Sequence, residues 1–382
     1  MNDAEVRPGL VFLMAGGGTG GHVIPAMAVA RELKRRGHEP FFVGTRTGLE
    51  ARLVPAAGFE IHWIEIGGLK RVGVKQTLRT MWQLPASTLG ALRVVEMRRP
   101  AAAFSLGGYV AGPVMLAAWI RRVPMALMEP NAIPGMTNRW MRRVAARALI
   151  NFPETARYFP AGKAELTGLP VRAEFFALPP KPRESVLTVL ITGGSQGSRT
   201  LNRAARESWN LFREARFAIR FIHQTGPEAH AEMEREFAKT GLAGEVVPFI
   251  QDMPAAFAAA DLVVCRSGAG AVAELAAAGK PSILVPFPFA SDNHQWRNAK
   301  VLARAGAARL APDGEFTGQK FFGEVVWLAS QPELLLRMGE AARALAHPNA
   351  AGRAADLLEE LARFAQRRKG NAKRAKEEKE CS

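Results

Sequence analysis

The sequence predicts an α/β protein of two domains, each a parallel sheet covered on both faces by helices. Three observations carry that expectation. Short, apolar, β-rich runs alternate with helix-patterned stretches along most of the chain, as parallel strands joined by helical crossovers require. A strand running into a glycine-rich turn and then a helix occurs twice, in "VFLMAGGGTGGHVIPAMAVARELKRRG" from Val11 and in "VLTVLITGGSQGSRTLNRAAR" from Val186. Between the two repeats, "AEFFALPPKPRES" after Arg172 has the prolines and charges of a linker. At 382 residues the chain also exceeds one ordinary core.

Taken in order, "LVFLMA" is the first strand and Val23 to Arg36 the first helix. "PFFVG" is followed by a helix from Leu49 to Ala56, and "IHWIEI" by a long basic segment reaching Arg99. "AAAFSL", "PMALME" and "ARALIN" continue the first series. The second series runs through "FAIRFIHQTG", "EVVPFI", "DLVVCRSG" and "SILVPFP". Two similar units of this kind suggest two Rossmann-like domains facing each other across a cleft, expected at 1–173 and 174–355. From Pro332 to Arg368 the apolar residues recur at helical spacing, and the basic tail "RRKGNAKRAKEEKECS" reads as disordered.

Fifty-one Lys and Arg against thirty-five Asp and Glu leave a net charge of +16. Such a balance points to an anionic partner, whether nucleic acid, a phosphorylated substrate or an acidic membrane surface. Two cysteines, Cys265 and Cys381, make no disulfide framework and fit a reducing compartment. The N-terminus lacks a basic region ahead of an apolar one, so no signal peptide is expected. The most apolar later stretch, "GGYVAGPVMLAAWI", is too short and too punctuated to span a bilayer.

Gly16, Gly18 and Gly21 formally satisfy G-x-G-x-x-G between a strand and a helix. A dinucleotide site of that kind needs an acidic residue at the end of the second strand, and "PFFVGTRTG" has none, which argues against a nicotinamide dehydrogenase. The physics of the turn survives: glycines let backbone approach an oxygen-rich ligand, and the following helix offers unpaired N–H groups. Gly193-Gly194-Ser195-Gln196-Gly197 raises the same possibility with Ser195 as an added donor. In "CRSGAGAVAELAAAGKP" a third strand meets a helix through Gly268 and Gly270, where Arg266 and the helix N–H groups suit a pyrophosphate. Glu274, further along, is either a solvated helix charge or a bidentate acceptor for a ribose diol. No D-x-D pair is present, so a metal-bridged diphosphate is not expected.

Seven stretches in order, "GGGTGGHVIPAMAVA", "SLGGYVAGPVMLAA", "EPNAIPGMTNR", "TGLPVR", "ITGGSQGSRTLN", "CRSGAGAVAELAAAGKPSILVPFP" and "DNHQWRNA", resemble the signatures of the MurG family, glycosyltransferase family 28. The resemblance covers roughly Leu10 to Arg363. It implies a two-domain GT-B fold, with the acceptor on the N-terminal domain, the nucleotide sugar mainly on the C-terminal one, and a helix within 356–382 returning to the first domain. It further implies an inverting, metal-independent transfer of GlcNAc from UDP-GlcNAc to lipid I, undecaprenyl-pyrophosphoryl-MurNAc-pentapeptide, giving lipid II with a β-1,4 bond and using no cofactor. Peripheral attachment to the cytoplasmic face of the bacterial plasma membrane follows, with partners among cell-wall synthesis and division proteins. Another UDP-sugar transferase with a different lipid acceptor is the alternative.

By the same resemblance Thr19, Gly20 and Gly21 line the donor site, and Asn131, Arg172 and Ser195 reach it. Ile250 meets uracil through its backbone. Ala269, Gly270, Ala271, Val272, Ala273 and Glu274 form the phosphate and ribose segment, and Gln295 faces the sugar. Where the family reads H-E-Q-N and G-N-P-V-R, this chain has Met128-Glu129-Pro130-Asn131 and Gly168-Leu169-Pro170-Val171-Arg172. Pro130 removes a backbone donor and Leu169 an amide.

His22 opens the first helix. On its own it reads first as a cap of the turn; within the family reading it is the base that takes the proton from the attacking C4 hydroxyl of MurNAc, since a helix N-terminus disfavours imidazolium. Between the third and fourth strands, Leu69, Val74, Leu78, Met81 and Trp82 alternate with Lys70, Arg71, Lys75 and Arg79. That mixture suits an anionic bilayer surface, and Trp119 with Arg121 and Arg122 extends it. From Thr88 onward the segment reads as sheet-packing helix. Stacking aromatics or a reading helix for nucleic acid are not evident, so no nucleic-acid partner is expected.

Overall fold

The computed structural model describes residues 9–17, 20–66, 74–182 and 184–380, and the side chains of 74–82, 369 and 372–380 lie outside that description. The chain forms two compact units, residues 1–170 with 349–382, and residues 171–348.

In the first unit the strands are β1 (Val11–Gly16), β2 (Glu39–Gly44), β3 (Glu60–Trp63), β4 (Ala102–Gly107), β5 (Met125–Glu129), β6 (Arg147–Ile150) and β7 (Ala164–Leu166). The helices are α1 (Gly20–Arg35), α2 (Glu50–Ala56), α3 (Val74–Arg98), α4 (Ala111–Ile120) and α5 (Met136–Met141). All the strand pairs are parallel, in the order β3-β2-β1-β4-β5-β6-β7. Leu13, Phe41, Val43, Val114, Met115 and Leu127 are among the fully buried core residues. Because both sheet faces are covered, β1 and β4 read as unbroken apolar runs rather than alternating ones.

In the second unit the elements are β8 (Leu187–Thr192), α6 (Arg199–Glu214), β9 (Ile219–Gln224), α7 (His230–Ala238), β10 (Ala243–Val247), α8 (Met253–Ala259), β11 (Leu262–Cys265), α9 (Ala269–Ala278), β12 (Ser282–Leu284), α10 (His294–Arg304), β13 (Ala308–Leu310), α11 (Gly318–Ala329) and α12 (Pro332–Ala344). The parallel order is β10-β9-β8-β11-β12-β13. Phe212 packs edge-on or tilted against Phe217, Phe221, Phe321 and Phe322, joining α6, β9 and α11 in one core.

Both sheets are doubly wound, and strand order reverses between β1 and β4 and again between β8 and β11. Ligands of such sheets bind outside the carboxyl ends of the strands beside that reversal. Each of those four strands ends in a glycine-bearing turn.

The structure departs from the sequence expectation in five places. The first helix starts at Gly20, not Val23. "EVVPFI" is strand only to Val247, where Pro248 ends the ladder. The short strands β7 and β13 carry too few residues for an apolar run to reveal them. The linker's first residues belong to the second unit, since Phe175 is fully buried edge-on against Phe257. The tail expected to be disordered is helical: α13 runs Ala350–Glu380. Its Ala, Lys, Arg, Glu and Gln content favours helix, and its start at Ala350 places all of it in the first unit, rather than a boundary at 355. There Arg36 donates to Asp356 at 2.6 Å, Glu359 at 3.0 Å and the Gly352 carbonyl at 3.1 Å, and Arg353 forks onto Glu165.

Candidate functional site

The candidate residues fall into two sets, one at the carboxyl edge of each sheet. In the first unit Gly20, Gly21 and His22 are the opening residues of α1. His22 is half-buried and faces the turn after β4. Gly108 there has φ +86°, and a Cβ on it would stand 3.0 Å from the Gly17 carbonyl oxygen and 3.6 Å from the His22 Nδ1. The glycine therefore lets two strand-end turns close on one another beside the imidazole. Thr19 lies outside the described residues.

Asn131 sits in the turn after β5, organised by a residue that the sequence reading left without a role. Glu129 is 1% exposed. Its carboxylate accepts from the Asn131 N–H at 3.0 Å and side chain at 3.3 Å, the Gly135 N–H at 3.0 Å and the Asn138 side chain at 2.8 Å. Burial pushes its pKa up to about 7 against the pull of those donors. A second buried acid lies under the first glycine turn. Glu50, 0% exposed, accepts from the Thr45 N–H and hydroxyl, and its Oε1 lies 2.7 Å from where a Gly17 Cβ would stand.

In the second unit Ser195 is exposed on the turn after β8. Ile250 follows β10, its N–H donated to the Gln224 Oε1 at 2.8 Å. Ala269 to Glu274 are the first six residues of α9, which begins after Gly268 with no side-chain cap. Side-chain caps close α6, α8 and α11 through Ser198, Asp252 and Thr317, while α9 shares its open start with α2, α4, α5, α7, α10 and α12. The opening N–H groups of α9 are thus left for solvent or a ligand, where the helix dipole favours an anion. Val272 points into the core at 2% exposed, so only its backbone is available to a ligand.

Glu274 is half-buried, and no hydrogen bond reaches its carboxylate among the described residues. Desolvation pushes its pKa up to about 7, with the Arg172 charge pulling the other way. Arg172 itself is exposed and stacks over Phe175 at 5.0 Å. Gln295 gives its Oε1 to the Phe287 N–H at 2.9 Å, which leaves its NH₂ as the group to offer. Arg266 is already partnered: it pairs with Asp313, donates to the Val285 carbonyl at 2.9 Å and lies over Phe287. A phosphate there would share the guanidinium with Asp313. Burial pushes the Cys265 thiol up to about 12, which fits a packing residue rather than a nucleophile.

Of the proposed membrane segment, Leu69, Lys70 and Arg71 lie outside the described residues. Val74, Lys75, Leu78, Arg79, Met81 and Trp82 are on the helical backbone of α3, with their side chains outside the description. Further along α3, Ala91 and Val95 are buried. Trp119 and Ile120 at the end of α4 are about half exposed, as is Trp140 on α5, a residue the sequence reading did not single out. Arg121 beside them pairs with Glu96. Among the described residues no helix is long and apolar enough to cross a membrane.

Comparison with known proteins follows the same two units. The N-terminal domain model of glycosyltransferase family 28 matches residues 12–150 and the C-terminal domain model residues 188–360. The chain is 64% identical over 352 residues to the UDP-N-acetylglucosamine–N-acetylmuramyl-(pentapeptide) pyrophosphoryl-undecaprenol N-acetylglucosamine transferase of Solibacter usitatus, covering 92% of this chain and 96% of that one. The protein of the same name from Myxococcus xanthus is 39% identical, over 91% and 92%. The crystal structure of Acinetobacter baumannii MurG superposes with a TM-score of 0.77 at 33% identity, covering 92% of this chain and all of that one. A UDP-GlcNAc 2-epimerase from Neisseria meningitidis shares the fold alone, at a TM-score of 0.65 and 13% identity over 92% and 99% of the two chains. The chain belongs to glycosyltransferase family 28.

Proposed function

We propose that this protein transfers GlcNAc from UDP-GlcNAc to the C4 hydroxyl of MurNAc in lipid I, forming lipid II with inversion at the anomeric carbon. The observation that carries the proposal is the 64% identity, along nearly the whole of both chains, to a transferase named for that donor and acceptor. The geometry supports it. The uncapped start of α9 receives the diphosphate, and Glu274 supplies two acceptor oxygens to the ribose diol. The Ile250 backbone meets the uracil, and the Gln295 NH₂ meets the sugar. His22 takes the proton from the C4 hydroxyl as that oxygen bonds to the anomeric carbon and the bond to UDP breaks on the opposite face. The growing charge on the departing UDP oxygen is met by fixed N–H dipoles, which need no reorganisation during the step.

The acceptor's lipid tail requires a surface. Peripheral attachment to an anionic bilayer is proposed through the basic and apolar residues of the 69–82 segment, with Trp119, Ile120 and Trp140 as further contacts. The test is UDP release from UDP-GlcNAc in chelator, with and without a short-chain lipid I analogue. Acceptor-dependent release with a β-1,4 disaccharide product is expected. Donor binding without release would sink the transferase reading, and release only with another lipid-linked sugar would move the acceptor.

A further inference from the structure

Gln224, the last residue of β9, is 1% exposed and its carboxamide joins two loops. Its Nε2 donates to the Thr192 hydroxyl at 3.1 Å and to the Gly194 carbonyl at 2.8 Å, both at the glycine turn after β8. Its Oε1 accepts the Ile250 N–H at 2.8 Å, in the loop after β10. The orientation of the amide is fixed by its neighbours, because a carbonyl oxygen must face the NH₂ and a backbone N–H must face the oxygen. The Thr192 hydroxyl also accepts from the Gly194 N–H at 3.2 Å, so the turn and the amide share one anchor.

The neighbouring residues reinforce that joint. The Asn202 side chain donates to the Thr225 carbonyl at 2.9 Å, and its oxygen faces His223 at 3.0 Å. Gly197 and Gly226, at φ +73° and +82°, pack so closely that a Cβ on Gly197 would lie 1.8 Å from the Thr225 oxygen. The end of β9 is therefore a rigid polar hub carrying a loop on either side.

The hydrogen bond to Ile250 has a chemical consequence. With its N–H engaged, Ile250 has its backbone carbonyl left to offer, and no donor reaches that oxygen among the described residues. A carbonyl demands a donor, and uracil presents one at N3–H where cytosine presents a lone pair.

We infer that Gln224 is a positioning residue for nucleobase selection: it holds Ile250 in register with the Gly193–Gly197 turn and leaves the Ile250 carbonyl as the group that reads the base. The inference rests on the placement of uracil at Ile250 in the proposed function. Parent protein preferring UDP over CDP tests that placement, and only the variants test Gln224.

The experiment measures UDP and CDP dissociation constants and UDP-GlcNAc kinetics for the parent and for Gln224→Met, which keeps the side chain's length and removes its polar atoms. Expected are a UDP affinity at least tenfold weaker, a UDP-to-CDP preference lowered several-fold, and a KM rise that exceeds any fall in kcat. A merely structural role would lower the unfolding midpoint while the folded protein kept the parent's UDP-to-CDP ratio. If Gln224→Met does not fold, Thr192→Val removes one of the amide's three ties and serves in its place, with a smaller drop in the same ratio expected. An unchanged ratio in whichever variant folds overturns the inference. A parent that binds UDP and CDP alike overturns it together with the uracil placement.

Discussion

His22 stands in the first turn of α1, where the unpaired N–H groups and dipole of the helix oppose a positive charge on the ring. Replacing it with alanine should lower kcat by ~10²–10⁴, the usual contribution of a general base, while UDP affinity stays within error; full turnover in that variant would remove His22 from the role. In the proposed function Glu274 makes the opposite kind of contribution, to donor binding. With its pKa pushed up to about 7 by desolvation, the carboxylate is lost as pH falls through that value, and with it the acceptors for the ribose diol. UDP binding should therefore weaken between pH 8 and pH 6, and Glu274→Gln should bind UDP weakly with a flattened profile. Calorimetric titration at several pH values checks this, and a parent affinity independent of pH would count against the ribose assignment.

The elements differ in how they treat their own ends. Helices α6, α8 and α11 bring side-chain caps, whereas α9, like α2, α4, α5, α7, α10 and α12, begins with none. What marks α9 is that its uncapped start follows β11, beside the reversal of strand order where doubly wound sheets bind their ligands. The turn after β8 shows what the glycines cost to replace. Gly197→Ala would force a left-handed residue to carry a Cβ into the Thr225 carbonyl, so a loss of at least about 1–3 kcal/mol is expected, read as a lowered unfolding midpoint. Helix α13 is tied to its unit by charge as well as by apolar contact. Arg36 is partly buried and satisfies two carboxylates and a carbonyl. Arg36→Ala should destabilise by about 1–3 kcal/mol, since hydrogen bonds to charged groups are the stronger kind. Chemical denaturation measures it, and an unchanged midpoint would mean that the Arg36 contacts add nothing to what Arg353–Glu165 and the apolar face already hold.

At the scale of the whole molecule, charge and topology set what the protein can meet. The excess of sixteen positive charges suits both a nucleotide sugar and an anionic bilayer, and about 1 kcal/mol per basic residue near such a surface gives reversible attachment. Sedimentation with anionic but not neutral vesicles is expected, weakening with salt; equal behaviour with both would leave the basic face without a membrane role. Each sheet reverses its strand order beside its glycine turns, so each unit presents its candidate residues along one carboxyl edge.

Much of this was legible in the residues alone. Strand and helix alternate with clear periods, glycines punctuate the strand ends, and local patterns of that kind need no knowledge of distant neighbours. Hence the two α/β units, the glycine turns and His22 at a helix start could be read directly, and the ordered motifs carried the family. What the sequence left open depends on burial and on side-chain hydrogen bonds that only the folded chain makes, whether between near neighbours or between distant ones. Nothing local marks Glu129 as buried under four donors, Glu50 as the floor of a glycine turn, or Asp313 as the partner that occupies Arg266. Gln224 ends an apolar strand like any polar residue, and only the folded sheet brings Thr192, Gly194 and Ile250 within reach of its amide. Backbone preferences are short-ranged and so are written in neighbouring letters. The satisfaction of buried polar groups is a property of the packed molecule, and tertiary structure alone decides it.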